Sequence, residues 1–354
     1  MLTASQRQAI QYIEAYSRKL QKDAKRTINH VLTMSNILTE VFEQAVKNMK
    51  NNASIGLHFH PDRLTQDRIS VAESLFNDGV YKSQFETFIS NGSVSAYQGG
   101  ERDLWETRMF GGAYQFKGPS HKERPKYGAL NVMLHSDGPA PRFGSCYFLL
   151  SPKVSYRSTY TYMDSHLELK EKGTYQEFDL ILAALLEESF TRERVLGESE
   201  LRPPRLISYL ANLNDKQSDL VNRKPNRNLD FYIEAQVHGD VSLEKDVDAL
   251  VADNSFQATE TGNMLEQLCR KYSISLYWRK GYKLNSKDVP SDFRGVKMPH
   301  LAKRIAHFDY IDASIIGLAA KDLYFYPENW SDYGTAEEVQ QELKLLWHVL
   351  VRYG

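Results

Sequence analysis

The sequence predicts an α+β fold: a core of mixed strands and helices, flanked by a helical segment at each end. Three observations lead there. Apolar residues recur at three- and four-residue spacing, without Gly or Pro, through most of the first fifty positions. Between residues 53 and 255, short β-branched and aromatic runs are punctuated by Gly, Asn and Pro. These runs mix with helical patterns without a regular βαβ alternation, which argues against a doubly wound parallel sheet.

The elements follow in chain order. "AIQYIEAYSRKL" and "INHVLTMSNILTEVFEQAV" read as two helices, broken at "NNAS" (51–54). Eight Lys/Arg stand against four Asp/Glu over residues 1–50, the size of excess that a solvated face carries. "SIGLHFH" is a strand, and "QDRISVAESLFNDG" is a helix closed by Gly79. "VYKSQFETFISNGSVSAY" is strand-like with a turn at Asn91-Gly92, and it offers Tyr81, Ser83, Gln84, Ser90 and Asn91 as polar groups. "YGALNVML" (127–134), "GSCYFLL" (144–150) and "RSTYTYMDS" (157–165) are further strands.

Helices are expected at "YQEFDLILAALLEESF" (175–190) and at "RPPRLISYLANL", which its prolines start. "NRKPNRN" (222–228) is a loop leading to the strand "LDFYIEAQVHG" (229–239). "SLEKDVDALV" reads as a helix with Ser242 as N-cap. Beyond Asn254 the chain is expected to be mainly helical, ending in "TAEEVQQELKLLWHVLVRY", where Thr335 and Glu338 have capping-box spacing. The predicted organisation is a helical segment over 1–52, a core over 53–255 and a helical region over 256–354 packed on it.

Composition bounds the function. The apolar fraction is 42%, the charged fraction 25% and the net charge −1, so no global field advertises a polyanionic partner. Two cysteines cannot build a disulfide framework, and no apolar run approaches a membrane span; a cytoplasmic protein without a membrane partner is expected. Phosphate-loop, GxGxxG, CxxC, HExxH and GxSxG signatures are missing.

The residues with chemistry in them are dispersed. "LHFHPDR" (57–63) places His58 and His60 on one face of a strand, with Arg63 just beyond. "ERPKYGALN" contributes Arg124 and Tyr127. In "FYIEAQVHG", Tyr232, Glu234, Gln236 and His238 alternate onto one face that could line a cleft.

The order of these parts resembles the ADP-ribosyltransferase superfamily. There a histidine-bearing strand runs into a helix ending in Gly, then a short polar strand, and much later a strand with a glutamate. "LHFHPDR…VAESLFNDGVY" and "YIEAQVHGDVSLEKDVDAL" are similar to the opening and closing of its toxin-like, nucleic-acid-modifying branch. The chain also looks like an uncharacterised bacterial domain family with "FHPDR", "RPKYGALN" and "EAQVHG" blocks, from about residue 53 to the C-terminus.

The superfamily resemblance implies a split-sheet core and NAD as co-substrate. Glu234 would be the catalytic carboxylate. His60, and with it His58, would meet the ribose and the nicotinamide amide. Arg63 or Arg124 would meet the pyrophosphate, Tyr81 or Tyr127 would stack on nicotinamide, and Gln236 would complete the cofactor site. No metal is implied. A toxin-like enzyme would also need a neutralising, antitoxin-type partner.

Departures bear on the acceptor. Tyr232 stands where protein-modifying members carry Gln or Glu, so the pattern is E-x-Q; this leaves room for a nucleobase, and RNA or DNA is expected over protein. "ISNGS" stands where one branch has Ser-Thr-Ser, with "RSTYT" a rival for that place. The basic stretches "RKPNRN" and "WRKGYK" (278–283) fit nucleic acid or a solvated face equally.

Two other classes compete. His58, His60, His135, Asp137 and His238 could form the site of a metal-dependent phosphoesterase, since H-x-H on a strand also opens metal-hydrolase barrels. The stripe Val339, Leu343, Leu346, Leu350 and Tyr353 could instead serve a non-enzymatic adaptor, although such stripes are more often core.

Overall fold

A computed structural model describes residues 1–88, 96–115, 120–214 and 217–354. Two helices form as expected, but the break falls inside the second expected run: α1 (Ala4–Met34) continues through Ile28–Met34 and α2 (Thr39–Asn52) starts after it, with a Thr3/Gln6 capping box opening α1. Ala9 and Ile13 of α1 pack with Trp105, Met109 and Phe110, while Ala24, Ile28 and Val31 join the main core. That core is one cluster running from Ala24 to Val351, so the flanking helices and the sheet share it.

Next come β1 (Ile55–Phe59), α3 (Val71–Asp78), β2 (Val80–Tyr81), α4 (Gln84–Thr87) and α5 (Glu101–Phe110). Gly79 ends α3 at φ 66°, a left-handed cap at which an added Cβ would also strike the Tyr272 ring. The strand expected after Gly79 is only two residues long. Ser83 instead opens α4 through a capping box with Glu86, whose carboxylate reaches back to the Ser83 N–H. The expected turn at Asn91-Gly92, with Ser90, lies outside the described residues.

The middle of the chain supplies β3 (Lys126–Leu130), β4 (Cys146–Leu150), β5 (Ser158–Tyr162), β6 (Lys172–Thr174) and α6 (Asp179–Arg192). A small ribbon, β7 (Arg194–Val195) with β8 (Glu198–Ser199), precedes α7 (Pro203–Ala211) and α8 (Gln217–Leu220). Then follow β9 (Ile233–Val237), β10 (Val241–Ser242), a single turn α9 (Leu243–Asp246) and β11 (Val247–Asp253).

The helix expected from Ser242 is therefore a strand after one turn. Ser242 makes no side-chain cap; its N–H donates to Asp246 instead. The reason is burial on both faces. "VDALVAD" is buried at every position but Asp248, between β4 and a further strand, and an apolar run of that kind has no helical or strand period to read.

The last hundred residues form α10 (Glu260–Tyr272), β12 (Ser275–Arg279), β13 (Lys283–Asn285), α11 (Met298–Ile305), β14 (Tyr310–Asp312), α12 (Ala313–Phe325) and α13 (Ala336–Tyr353). The region is mainly helical, but β12 joins the central sheet and β13 pairs with β14. Thr335 and Glu338 form the capping box of α13. Val339, Leu343, Leu346 and Leu350 on that helix lie in the core, and Tyr353 is exposed.

The central sheet has eight strands in the order β12-β11-β4-β1-β3-β9-β5-β6, antiparallel except for β11 with β12. A mixed α+β architecture results. Its middle joint is short. β1 meets β3 only at Ile55–Leu130 and Gly56–Ala129, then follows β4 out to Phe59. β3 in turn follows β9, with Ala129 opposite Glu234 and Lys126 opposite Val237. The sheet therefore parts beyond Gly56. Gly128 marks the last close approach, where a Cβ would come within 2.5 Å of the Gly56 carbonyl.

Candidate active site

A cavity opens where the sheet parts. His58 and Phe59 line it from β1, His60 from just beyond that strand, and Lys126, Tyr127 and Gly128 from β3. Glu234 of β9, Arg102 and Trp105 of α5, and Asp164 after β5 also line it. Tyr81 and Arg63, both singled out in the sequence, are in its wall. Arg124 and Gln236 are not among the lining residues.

The two histidines differ from what their spacing promises. His58 Nδ1 lies 3.2 Å from the Gly144 carbonyl, and its Nε2 accepts the Ala140 N–H at 3.2 Å. The ring stacks on Tyr147, and burial pushes its pKa down to about 4. Both nitrogens of this neutral imidazole are occupied by backbone. His60 Nδ1 lies 3.4 Å from Ser145 Oγ and its ring stands edge-on to Trp347, with burial lowering its pKa to about 3.

No group of three metal-ligating side chains exists among the described residues. His135 sits at the Lys224 carbonyl and Glu198, Asp137 accepts from the N–H groups of Asn226 and Arg227 and from Tyr282, and His238 contacts Tyr114 and Thr159. These three serve separate parts of the fold.

The polar face of β9 is real, but most of it is spent on neighbours. Tyr232 donates to Asp164 at 3.0 Å, Gln236 faces Thr159 of β5, and His238 contacts Tyr114. Glu234 alone of the four lines the cavity. Its Oε1 accepts from Ser165 Oγ and, at 2.8 Å, from Gln236 Nε2; among the described residues Oε2 has only a long contact of 3.4 Å with the Ser165 N–H. The residue is 6% exposed, and burial, with Asp164 nearby, raises its pKa to about 8.

Tyr81 and Tyr127 have different tasks. Tyr81 donates to the His58 carbonyl at 3.2 Å, satisfying a backbone acceptor where β1 has parted from β3. Tyr127 donates to Glu106 Oε1 at 2.6 Å, and its ring lies 5.4 Å from that of Trp105. Together Tyr127 and Trp105 offer an aromatic wall.

The arginines sort just as sharply. Arg124, expected as a pyrophosphate ligand, is fully buried and bonded to Glu106 Oε2 (2.8 Å) and to Asp103, with its guanidinium over Phe85. It anchors α5. Sequence reasoning overlooked Arg102 and Asp164. Arg102 is 7% exposed, its guanidinium lies 5.0 Å from the Trp105 ring centroid and 5.1 Å from that of Tyr127, and its buried Nε has no hydrogen-bond partner among the described residues. Lys126 is buried too, bonded only to the carbonyls of Lys122 and Gly239.

Five Lys/Arg line the cavity against two Asp/Glu; of the five, Lys82 is paired with Asp78 and Arg142 with Asp230, both acids lying beyond the lining. Of the basic stretch "WRKGYK", Arg279 is buried against Asp253 at 2.9 Å, while Lys280 and Lys283 are exposed.

A family model described as "Protein of unknown function (DUF3626)" matches residues 54–353, most of the chain. The chain belongs to the DUF3626 family. The DUF3626 match takes in every residue of this cavity and leaves α1 and α2 outside it. No curated protein matches the sequence. No helix among the described residues is long and apolar enough to cross a membrane.

Proposed function

We propose that this DUF3626 protein is an NAD-dependent ADP-ribosyltransferase of the toxin or effector kind, acting in the cytoplasm, with Glu234 as its catalytic carboxylate and a nucleic acid as its acceptor. The observation that carries the reading is Glu234 itself, a buried carboxyl held on one oxygen at the wall of a cleft that otherwise collects cations. The parting of the sheet between β1 and β3 is the kind of division the resemblance implies for a dinucleotide cleft.

The chemistry needs little more. The bond between C1′ of the ribose and the pyridinium nitrogen breaks with both electrons moving to nitrogen. Nicotinamide leaves neutral, without a protonating acid. The developing oxocarbenium ion is stabilised by the carboxylate and captured by an oxygen or nitrogen of the acceptor, which gives up its proton. In the free protein, burial favours the protonated form of Glu234. The pyridinium charge favours the carboxylate form, so binding NAD draws that proton off.

Arg102 and Arg63 would take the diphosphate, for which a guanidinium fork is suited. Trp105 and Tyr127 would supply the stacking surface for nicotinamide. Asp103, Glu106 and Arg124 would hold α5, and with it Arg102, in place.

The test is incubation with NAD labelled in its adenylate, together with RNA, DNA and protein fractions, beside Glu234→Gln. Label entering the nucleic-acid fraction with wild type and not with the variant supports the reading. Label in the protein fraction would move the acceptor, and no NAD consumption in any fraction would refute the activity.

A further inference from the structure

Glu234 stands at the end of a run of buried polar side chains that has no other evident purpose. Thr159 of β5 lies opposite Gln236 of β9, and Thr161 opposite Glu234. Thr159 Oγ1 is 2.8 Å from Gln236 Oε1 and 3.1 Å from His238 Nε2; His238 Nδ1 contacts the Tyr114 hydroxyl. Thr159, Gln236 and His238 are all fully buried, so water cannot supply alternative partners.

The orientation of the Gln236 amide then decides where the protons sit. Gln236 gives its amide N–H to Glu234 Oε1, so its carbonyl faces Thr159 and must accept the threonine's single proton. The Thr159 oxygen is then free to accept, and His238 Nε2 must carry a hydrogen. His238 Nδ1 becomes an acceptor, for which the Tyr114 phenol, kept protonated by burial, is the donor. Every donor points the same way, from Tyr114 through His238, Thr159 and Gln236 to Glu234.

We propose that Thr159, Gln236 and His238 are positioning residues for Glu234, a one-way chain of hydrogen bonds that commits Oε1 as an acceptor and leaves Oε2 as the oxygen offered to the ligand. The role of Glu234 toward NAD rests on the function proposed above; the direction of the chain does not. Nor does the chain use Ser165, which donates to the same Oε1 from the other side. Cutting it in the middle leaves Glu234 with the wrong neighbour: a released Gln236 amide can rotate and turn its carbonyl, an acceptor, toward the carboxylate.

Thr159→Val is the cut, since valine keeps the shape and removes the hydroxyl; Thr159→Ser keeps the chain. Nitrogen-15 NMR of the imidazole reads the His238 tautomer without reference to activity. The chain requires hydrogen on Nε2 in wild type and in Thr159→Ser, and loss of that preference in Thr159→Val. It also predicts that Thr159→Val lowers kcat for NAD cleavage at least 10-fold with KM changed less than twofold, and that Thr159→Ser restores it. Hydrogen on Nδ1 in the wild type would mean the chain runs backwards, with Glu234 as donor, and would overturn the proposal. An unchanged kcat in a folded Thr159→Val would overturn it equally. A wild type that does not cleave NAD defeats the activity, while the tautomer still judges the chain; should Thr159→Val not fold, the wild-type and Thr159→Ser tautomers judge it alone.

Discussion

Strands β1 and β9 face the same cavity, and each carries polar side chains that look functional in the sequence. His58 on β1 has both ring nitrogens on backbone groups, Gly144 and Ala140. Glu234 on β9 has one oxygen held by two donors, and the other nearly bare. Arg124 and Arg102 repeat the contrast within one helix's surroundings: among the described residues both have a buried Nε without a partner, but the terminal nitrogens of Arg124 are bonded to two carboxylates and the Arg102 guanidinium lies only against the Trp105 and Tyr127 rings. Lining a cleft is thus a weak sign of function; hydrogen-bonding capacity left unspent in a dry wall is a stronger one, because a buried polar group without a partner is costly to keep.

The contrast can be broken most forcefully at Arg124. Arg124→Met strands Asp103 and Glu106 as buried acids, and should cost about 3–5 kcal/mol of stability in chemical denaturation. Arg102→Gln should leave the denaturation midpoint nearly unchanged and raise the KM for NAD roughly 10- to 100-fold, as expected for losing a charged hydrogen bond to phosphate. If Arg102→Gln unfolds the protein and leaves KM alone, the assignments of the two arginines are reversed.

His58→Leu should behave like a structural change. Freeing the Ala140 N–H and the Gly144 carbonyl should cost about 2 kcal/mol of stability. Initial rates per folded molecule should stay within about twofold of wild type; a kcat falling by orders of magnitude would restore His58 to the ligand.

The smallest effect is in pH. The folded-state pKa of Glu234, about 8, lies above its unfolded value. The stability tied to its proton is therefore present below about pH 4.5 and is lost as pH rises through 8. Melting temperatures of wild type and Glu234→Gln should diverge across that window, the variant becoming relatively more stable toward pH 8.5. Parallel curves would mean the carboxyl is not desolvated.

Much of the fold was legible because its signals are local. The Thr335/Glu338 box, the Gly79 cap and the period of α1 each lie within one or two helical turns. β11 was not, since a strand buried on both faces has no period of its own. In the site, Glu234 was found because it alternates with Tyr232, Gln236 and His238 on a short strand. Arg102 was hidden in "ERDLWETR", which has the texture of a solvated helix. What buries its charges is Arg124, some twenty residues away, and no spacing within α5 announces that partner. Asp164 was likewise only the tail of a strand until folding brought it to Glu234 and Tyr232.

We propose that the unspent oxygen of Glu234 serves the C1′–N bond of NAD. Nicotinamide release from NAD, followed by chromatography with wild type, Glu234→Gln and His58→Leu at equal folded concentration, tests it most directly. Wild type and His58→Leu should release nicotinamide, and Glu234→Gln should do so at a rate lower by roughly a hundred- to a thousandfold. Equal rates in wild type and Glu234→Gln, or no release by any of them, would contradict it.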